Sequence, residues 1–71
     1  MKTSYKRLWK LLIDKDMSKS DLHKMAELSS STMTKLRHDE DVSMGALRKI
    51  CLVLNCRLED IVEFIPEELR F

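Results

Sequence analysis

Leu22 to Leu36, reading LHKMAELSSSTMTKL, decides how this chain folds. Leu22 and Ala26 would share one face of a short helix, Leu28 would plug a turn, and Met33 and Leu36 would share one face of a second helix. Ser29 stands where an N-cap is needed, because its hydroxyl can accept a bond from an orphan N–H one turn on. The next outward positions, Ser30, Ser31, Thr32 and Thr34, are small and polar. Hydroxyl residues are mediocre helix formers, so propensity alone would not choose four of them here. A helix with an apolar back and a short hydroxylated front suits insertion into the major groove of DNA. An ordinary polar surface is the plainer alternative.

Capping signals divide the rest of the chain. Tyr5, Leu8, Trp9, Leu12 and Ile13 recur at helical spacing, which predicts a first helix over 4–15 with Ser4 as its cap. Met17 is a core plug in the connection that follows. Ser18 caps a second helix, Lys19 to Glu27, with Asp21 as a short capping-box acid. The third helix runs from Ser30 to Arg37. His38 to Val42 is a polar loop with three consecutive acids. Ser43 caps a fourth helix, Met44 to Leu54, whose apolar stripe is Leu47, Ile50, Cys51 and Leu54. Asn55 stands where a left-handed residue ends it. Leu58, Ile61, Val62 and Ile65 mark the apolar side of a fifth helix, stopped by Pro66. No strand-like alternation is long enough to count. The expected fold is therefore all-α with five helices, a domain over 1–66 and a short tail over 67–71.

Seventy-one residues allow one domain with a small core. The first residues are polar, so no secretory signal is expected. No apolar run approaches the roughly 18 residues of a membrane span, which favours a cytoplasmic protein without a membrane partner. Cys51 and Cys56 match no zinc spacing, and His23 and His38 lie far off in sequence, so no metal or cofactor is expected. Both thiols read as small apolar fillers. His23 reads as a packed or surface histidine. No nucleophile–base–acid set, paired carboxylates or glycine-rich phosphate loop appears, so neither an enzyme nor a small-molecule site is expected.

The net charge of +1 is unevenly placed. Residues 1–37 hold nine Lys and Arg against four acids, a net of +5. Residues 38–71 hold four against eight, a net of −4. That pattern fits a basic face toward nucleic acid and an acidic face turned away, or simply a solvated surface.

Taken together, YKRLWKLLIDKDMSKSDL (5–22), SSSTMTKL (29–36), VSMGALRKICLVLNC (42–56) and LEDIVEFIP (58–66) resemble the lambda-repressor/Cro-like (XRE-type) helix-turn-helix regulators. The likeness is to the small single-domain subgroup of Gram-positive bacteria and their mobile elements. It implies a sequence-specific DNA-binding regulator, a repressor by type, acting on double-stranded DNA as a homodimer. It places base contacts at Ser30, Ser31, Thr34 and Lys35. Phosphate contacts fall at Lys19, Ser29, Arg37, His38, Ser43 and the Met44 amide, although a solvated loop histidine is an equal reading of His38. Val62, Phe64, Ile65, Leu69 and Phe71 are the candidate dimer interface. A protein-interaction or antitoxin-like module on the same fold is the second reading, suited to the acidic half and apolar tail. The turn position usually taken by glycine carries Glu27. Either a left-handed cost of roughly 1–2 kcal/mol is borne there or the turn is rearranged. The acids Asp39 to Asp41 must point away from a phosphate backbone or do capping work.

Overall fold

Serine hydroxyls cap three of the four helices among the described residues. In a computed structural model that describes residues 1–66, the order is β1 (Lys2–Ser4), α1 (Lys6–Asp14), α2 (Lys19–Met25), α3 (Ser30–Arg37), α4 (Met44–Leu54), a 3-10 turn (Leu58–Asp60) and β2 (Glu63–Ile65). The Ser18 hydroxyl accepts the Asp21 N–H at 3.0 Å, and the Asp21 carboxylate accepts the Ser18 N–H at 3.0 Å. Both halves of the capping box are thus made. The Ser29 hydroxyl accepts the Thr32 N–H at 3.0 Å, and that of Ser43 accepts the Ala46 N–H at 3.1 Å.

All four helices end in one way. A residue with positive φ follows the last helical turn: Asp16 (56°), Glu27 (52°), Asp39 (57°) and Asn55 (51°). The next N–H then reaches back across the turn: Met17 to the Leu12 carbonyl, Leu28 to His23, Glu40 to Lys35 and Cys56 to Cys51. These are Schellman-type ends, which usually take glycine. The chain's single glycine, Gly45, is used at none of them and has no positive φ. Asp and Asn tolerate the left-handed region through short polar side chains. Glu27 has no such excuse, so its turn keeps the left-handed geometry and carries the strain.

The core is built from Tyr5, Leu8 and Leu12 of the first helical segment, Leu22, Ala26 and Leu28 around the turn, Met33 and Leu36 of α3, Ala46, Leu47, Ile50 and Leu54 of α4, and Ile61. Burying one such side chain contributes roughly 1.5–3 kcal/mol before entropy is counted. α2 packs against α4, and the 3-10 turn packs against both α1 and α4. Met17, Trp9, Cys51 and Cys56 lie half-buried against this core.

Three expectations are corrected. Among the described residues there are four α-helices rather than five, and the fold is not all-α. The Asp60 carboxylate accepts the Arg57 N–H at 2.9 Å and closes a single 3-10 turn. Ile61 then drops fully into the core. Val62, Phe64 and Ile65 are strong strand formers, and residues 63–65 pair antiparallel with β1: Lys2 opposite Ile65, Thr3 opposite Phe64, Ser4 opposite Glu63. A run of eight residues can satisfy both periods, and the partner strand is far off in sequence. The first helix starts at Lys6, not at 4, because Ser4 belongs to β1. Its hydroxyl still accepts the Lys6 N–H at 3.3 Å. Ile13 is 72% exposed, since one residue on from buried Leu12 the helix has turned about 100° away.

Two outcomes follow for stability. Glu27→Gly should raise stability by roughly 0.5–1 kcal/mol, read as a higher urea midpoint, because relief of left-handed strain exceeds the added unfolded-state entropy. Asp21 is the second case. Its bonds from the Ser18 N–H and hydroxyl hold its carboxyl below the ordinary 3.8. The stability this contributes is complete above pH 3.8 and is lost as pH falls through the lower native value. Asp21→Asn should therefore be less stable than wild type at pH 7, and urea midpoints measured down a pH series should converge in strong acid.

Candidate nucleic-acid interface

α3 presents its back to the core and its front to solvent. Met33 and Leu36 are buried, while Ser30, Ser31, Thr34, Lys35 and Arg37 are exposed. Residues four apart share a stripe, so Ser30 lies beside Thr34 and Ser31 beside Lys35. Thr32, half-buried, takes no part in this front. Its hydroxyl oxygen accepts from the Ser29 hydroxyl at 3.0 Å, joining the cap. Ser29 therefore has its hydroxyl hydrogen engaged, and its main-chain N–H is the group it can offer a phosphate. Thr34 turns its hydroxyl back to the Ser30 carbonyl at 3.0 Å.

The helix ends supply the field. Neither α3 nor α4 has an acid in its first turn, so the orphan amides of Ser30, Ser31, Met44 and Gly45 keep their partial positive charge. Lys35 and Arg37 sit in the last turn of α3. His38 follows as an exposed residue whose own N–H is bonded to the Thr34 and Lys35 carbonyls at 3.2 Å, leaving the imidazole outside. Ser43 keeps its hydroxyl hydrogen after accepting from Ala46, and Met44 opens α4. Lys19, at the start of α2, holds its ammonium 4.3 Å from the centre of the Trp9 ring. Such a contact at an exposed site contributes about 0.5–1 kcal/mol and limits where the charge can go.

The acidic loop after α3 is hydrogen-bonded to the start of the chain, its three acids staying solvent-exposed. The Asp39 carboxylate accepts the Tyr5 N–H at 3.1 Å, the Glu40 carbonyl accepts the Tyr5 hydroxyl at 2.8 Å, and the Asp41 carboxylate accepts the Thr3 hydroxyl at 2.8 Å. Burial, with the Asp41 charge second, holds the Tyr5 phenol above its ordinary 10.0, so it remains a neutral donor. Two of the three acids are thereby engaged with β1 and the start of α1. Arg7 is likewise tied by its side chain. It donates to the Glu59 carbonyl at 3.1 Å and pairs with the Glu63 carboxylate at 3.3 Å.

Sequence reasoning missed the Trp9–Lys19 contact and the Arg7 tie. Both join segments whose proximity depends on the finished fold. Of the candidate interface residues, Phe64 is 66% and Ile65 37% exposed, and Val62 is half-buried. Leu69 and Phe71 lie outside the described residues. A groove of about 770 Å³ runs beside Phe64, lined by Met1, Val42, Met44, Leu47 and Leu58 among others. Among the described residues no three His, Cys, Asp or Glu side chains come together as a metal site. Burial, with Cys51 beside it, pushes the Cys56 thiol up to about 11, far from a reactive thiolate. No helix among the described residues is long and apolar enough to cross a membrane.

Comparison with known proteins gives the same architecture a lineage. The family model of the Cro/C1-type helix-turn-helix DNA-binding domain matches residues 7–67. Among solved structures, the transcriptional regulator VanUg (crystal form II) is similar at 48% identity and a TM-score of 0.90, over 93% of this chain and 88% of that one. No curated protein sequence gives a significant match. The chain belongs to the Cro/C1-type helix-turn-helix DNA-binding family.

Proposed function

We propose that this protein is a sequence-specific transcriptional regulator, a repressor by type, that works in the cytoplasm on double-stranded DNA. The observation that carries the reading is the front of α3: an exposed face of Ser30, Ser31, Thr34 and Lys35 on a helix whose back is locked by Met33 and Leu36. α3 enters the major groove and these four side chains meet base edges. Phosphates on either side are held by Lys19, the Ser29 N–H, Arg37, His38, the Ser43 hydroxyl and the Met44 amide. The bonds that hold Asp39 to the Tyr5 N–H and Asp41 to the Thr3 hydroxyl support this, because they tie those two carboxylates to the start of the chain. Binding is the whole activity in this reading, and it needs no catalytic group.

One recognition helix spans few base pairs, so tight specific binding calls for a pair of domains reading half-sites about 34 Å apart. In this reading residues 1–66 form the binding domain and 67–71 a tail. The exposed Phe64 and Ile65, with Val62 beside them and Leu69 and Phe71 beyond, form the surface for the second copy.

Lys35→Ala should lower specific affinity and change the sequences recovered from a randomised duplex pool. Lys19→Ala should weaken all sequences alike and reduce the slope of log affinity against log salt by about one. Wild-type behaviour from both variants would rule out this docking. For assembly, Phe64→Asp should move the protein toward monomer in sedimentation equilibrium. It should also weaken binding to a palindrome far more than to a half-site.

A further inference from the structure

The hydroxyl groups on α3 are not equivalent, and the difference assigns one of them a base. A threonine hydroxyl has one hydrogen to donate. That of Thr34 is given to the Ser30 carbonyl, one turn back along its own helix. Back-bonding of this kind is one of the two rotamer choices that threonine takes in helices. What Thr34 can offer an outside partner is therefore its γ-methyl group and an oxygen lone pair. It is not a donor. Ser30 and Ser31, in contrast, have no hydroxyl bond to any described residue and can donate, as can the ammonium of Lys35. The exposed front thus splits. The Ser31–Lys35 stripe carries donors, suited to the O6 and N7 acceptors of guanine. The Ser30–Thr34 stripe ends in a methyl group. In the major groove the apolar feature of a base pair is the 5-methyl of thymine.

We propose that Thr34 is a specificity residue that reads a thymine through methyl–methyl contact, with its hydroxyl serving the helix rather than the DNA. This rests on α3 being the recognition helix. The test needs an operator, obtained by selection from a randomised duplex pool with the full chain. Each thymine of that operator is then replaced singly by uracil, which removes the 5-methyl and nothing else. For wild type, one position per half-site should lose about fourfold in affinity, the fold-change for one buried CH₂-sized group. Thr34→Val keeps a methyl and lacks the hydroxyl, so it should retain both the operator preference and the thymine–uracil ratio at that position. Thr34→Ser keeps the hydroxyl and lacks the methyl, so its ratio there should fall to one. The site is exposed and both changes are conservative, and a matching circular dichroism melt checks that each variant is folded.

Three results would overturn the assignment: no uracil-sensitive position, a Thr34→Ser protein that still discriminates, or a Thr34→Val protein that loses its sequence preference. Ser31→Ala and Lys35→Ala separate this failure from a wider one. If they change the selected sequence while Thr34→Ser leaves the ratio untouched, Thr34 alone is misassigned. If they too change nothing, α3 is not the reader and both readings fall.

Discussion

The constraint that fixes the loop after α3 is the three-bond clasp between it and the start of the chain. Thr3 and Tyr5 donate a hydroxyl, an N–H and a phenol to Asp41, Asp39 and the Glu40 carbonyl. The loop leaves a left-handed Asp39, so its direction is fixed at one end by backbone geometry and along its length by these bonds. Each bond contributes roughly 0.5–3 kcal/mol, the upper end belonging to charged acceptors shielded from water. Their joint effect is positional. They set where α4 begins relative to where α3 ends, and so the spacing between the acid-free N-terminal turns of the two helices.

The same clasp explains a composition that looks ill suited to DNA. Three consecutive exposed acids follow α3, a charge that would repel phosphates wherever it met them. Two are drawn to donors on β1 and the start of α1. The third contributes its main-chain carbonyl, which accepts the Tyr5 hydroxyl. Local charge around α3 is then set by Lys35, Arg37 and the helix ends rather than by the net charge of +1. Arg7, counted with the basic half, serves the C-terminal segment by gripping Glu63 and the Glu59 carbonyl.

What was legible in the sequence was local. Ser18, Ser29 and Ser43 announce their helices because a cap and its target lie three residues apart. α3 and α4 accordingly begin and end at the residues their caps imply, and Asn55 and Glu27 occupy the left-handed positions expected of helix ends. The exposed faces of Ser30, Ser31, Thr34 and Lys35 followed from the same periodicity. What was illegible depends on distant partners. Glu63 to Ile65 became a strand because Lys2 to Ser4 lie alongside, and β1, being polar and three residues long, has no pattern of its own. Lys19 meets Trp9 across two helices. Asp16 and Asp39 were missed as left-handed residues because aspartate is common in loops of any geometry.

The pairing of Lys2 with Ile65 also bears on the order of events in folding. The helices are joined by short connections, and their contacts with sequence neighbours close small loops quickly. The sheet must close nearly the whole described chain, at the largest loop entropy in the molecule, for only three residue pairs. On that ground it is expected to form late and to open early. Slow amide exchange should be concentrated in α4 and the α2–α3 pair, with β1 and β2 exchanging through a partly open form in which the four helices persist. Tyr5 anchors both the first helix and the clasp. The late step is thus also the one that brings the loop after α3 into register.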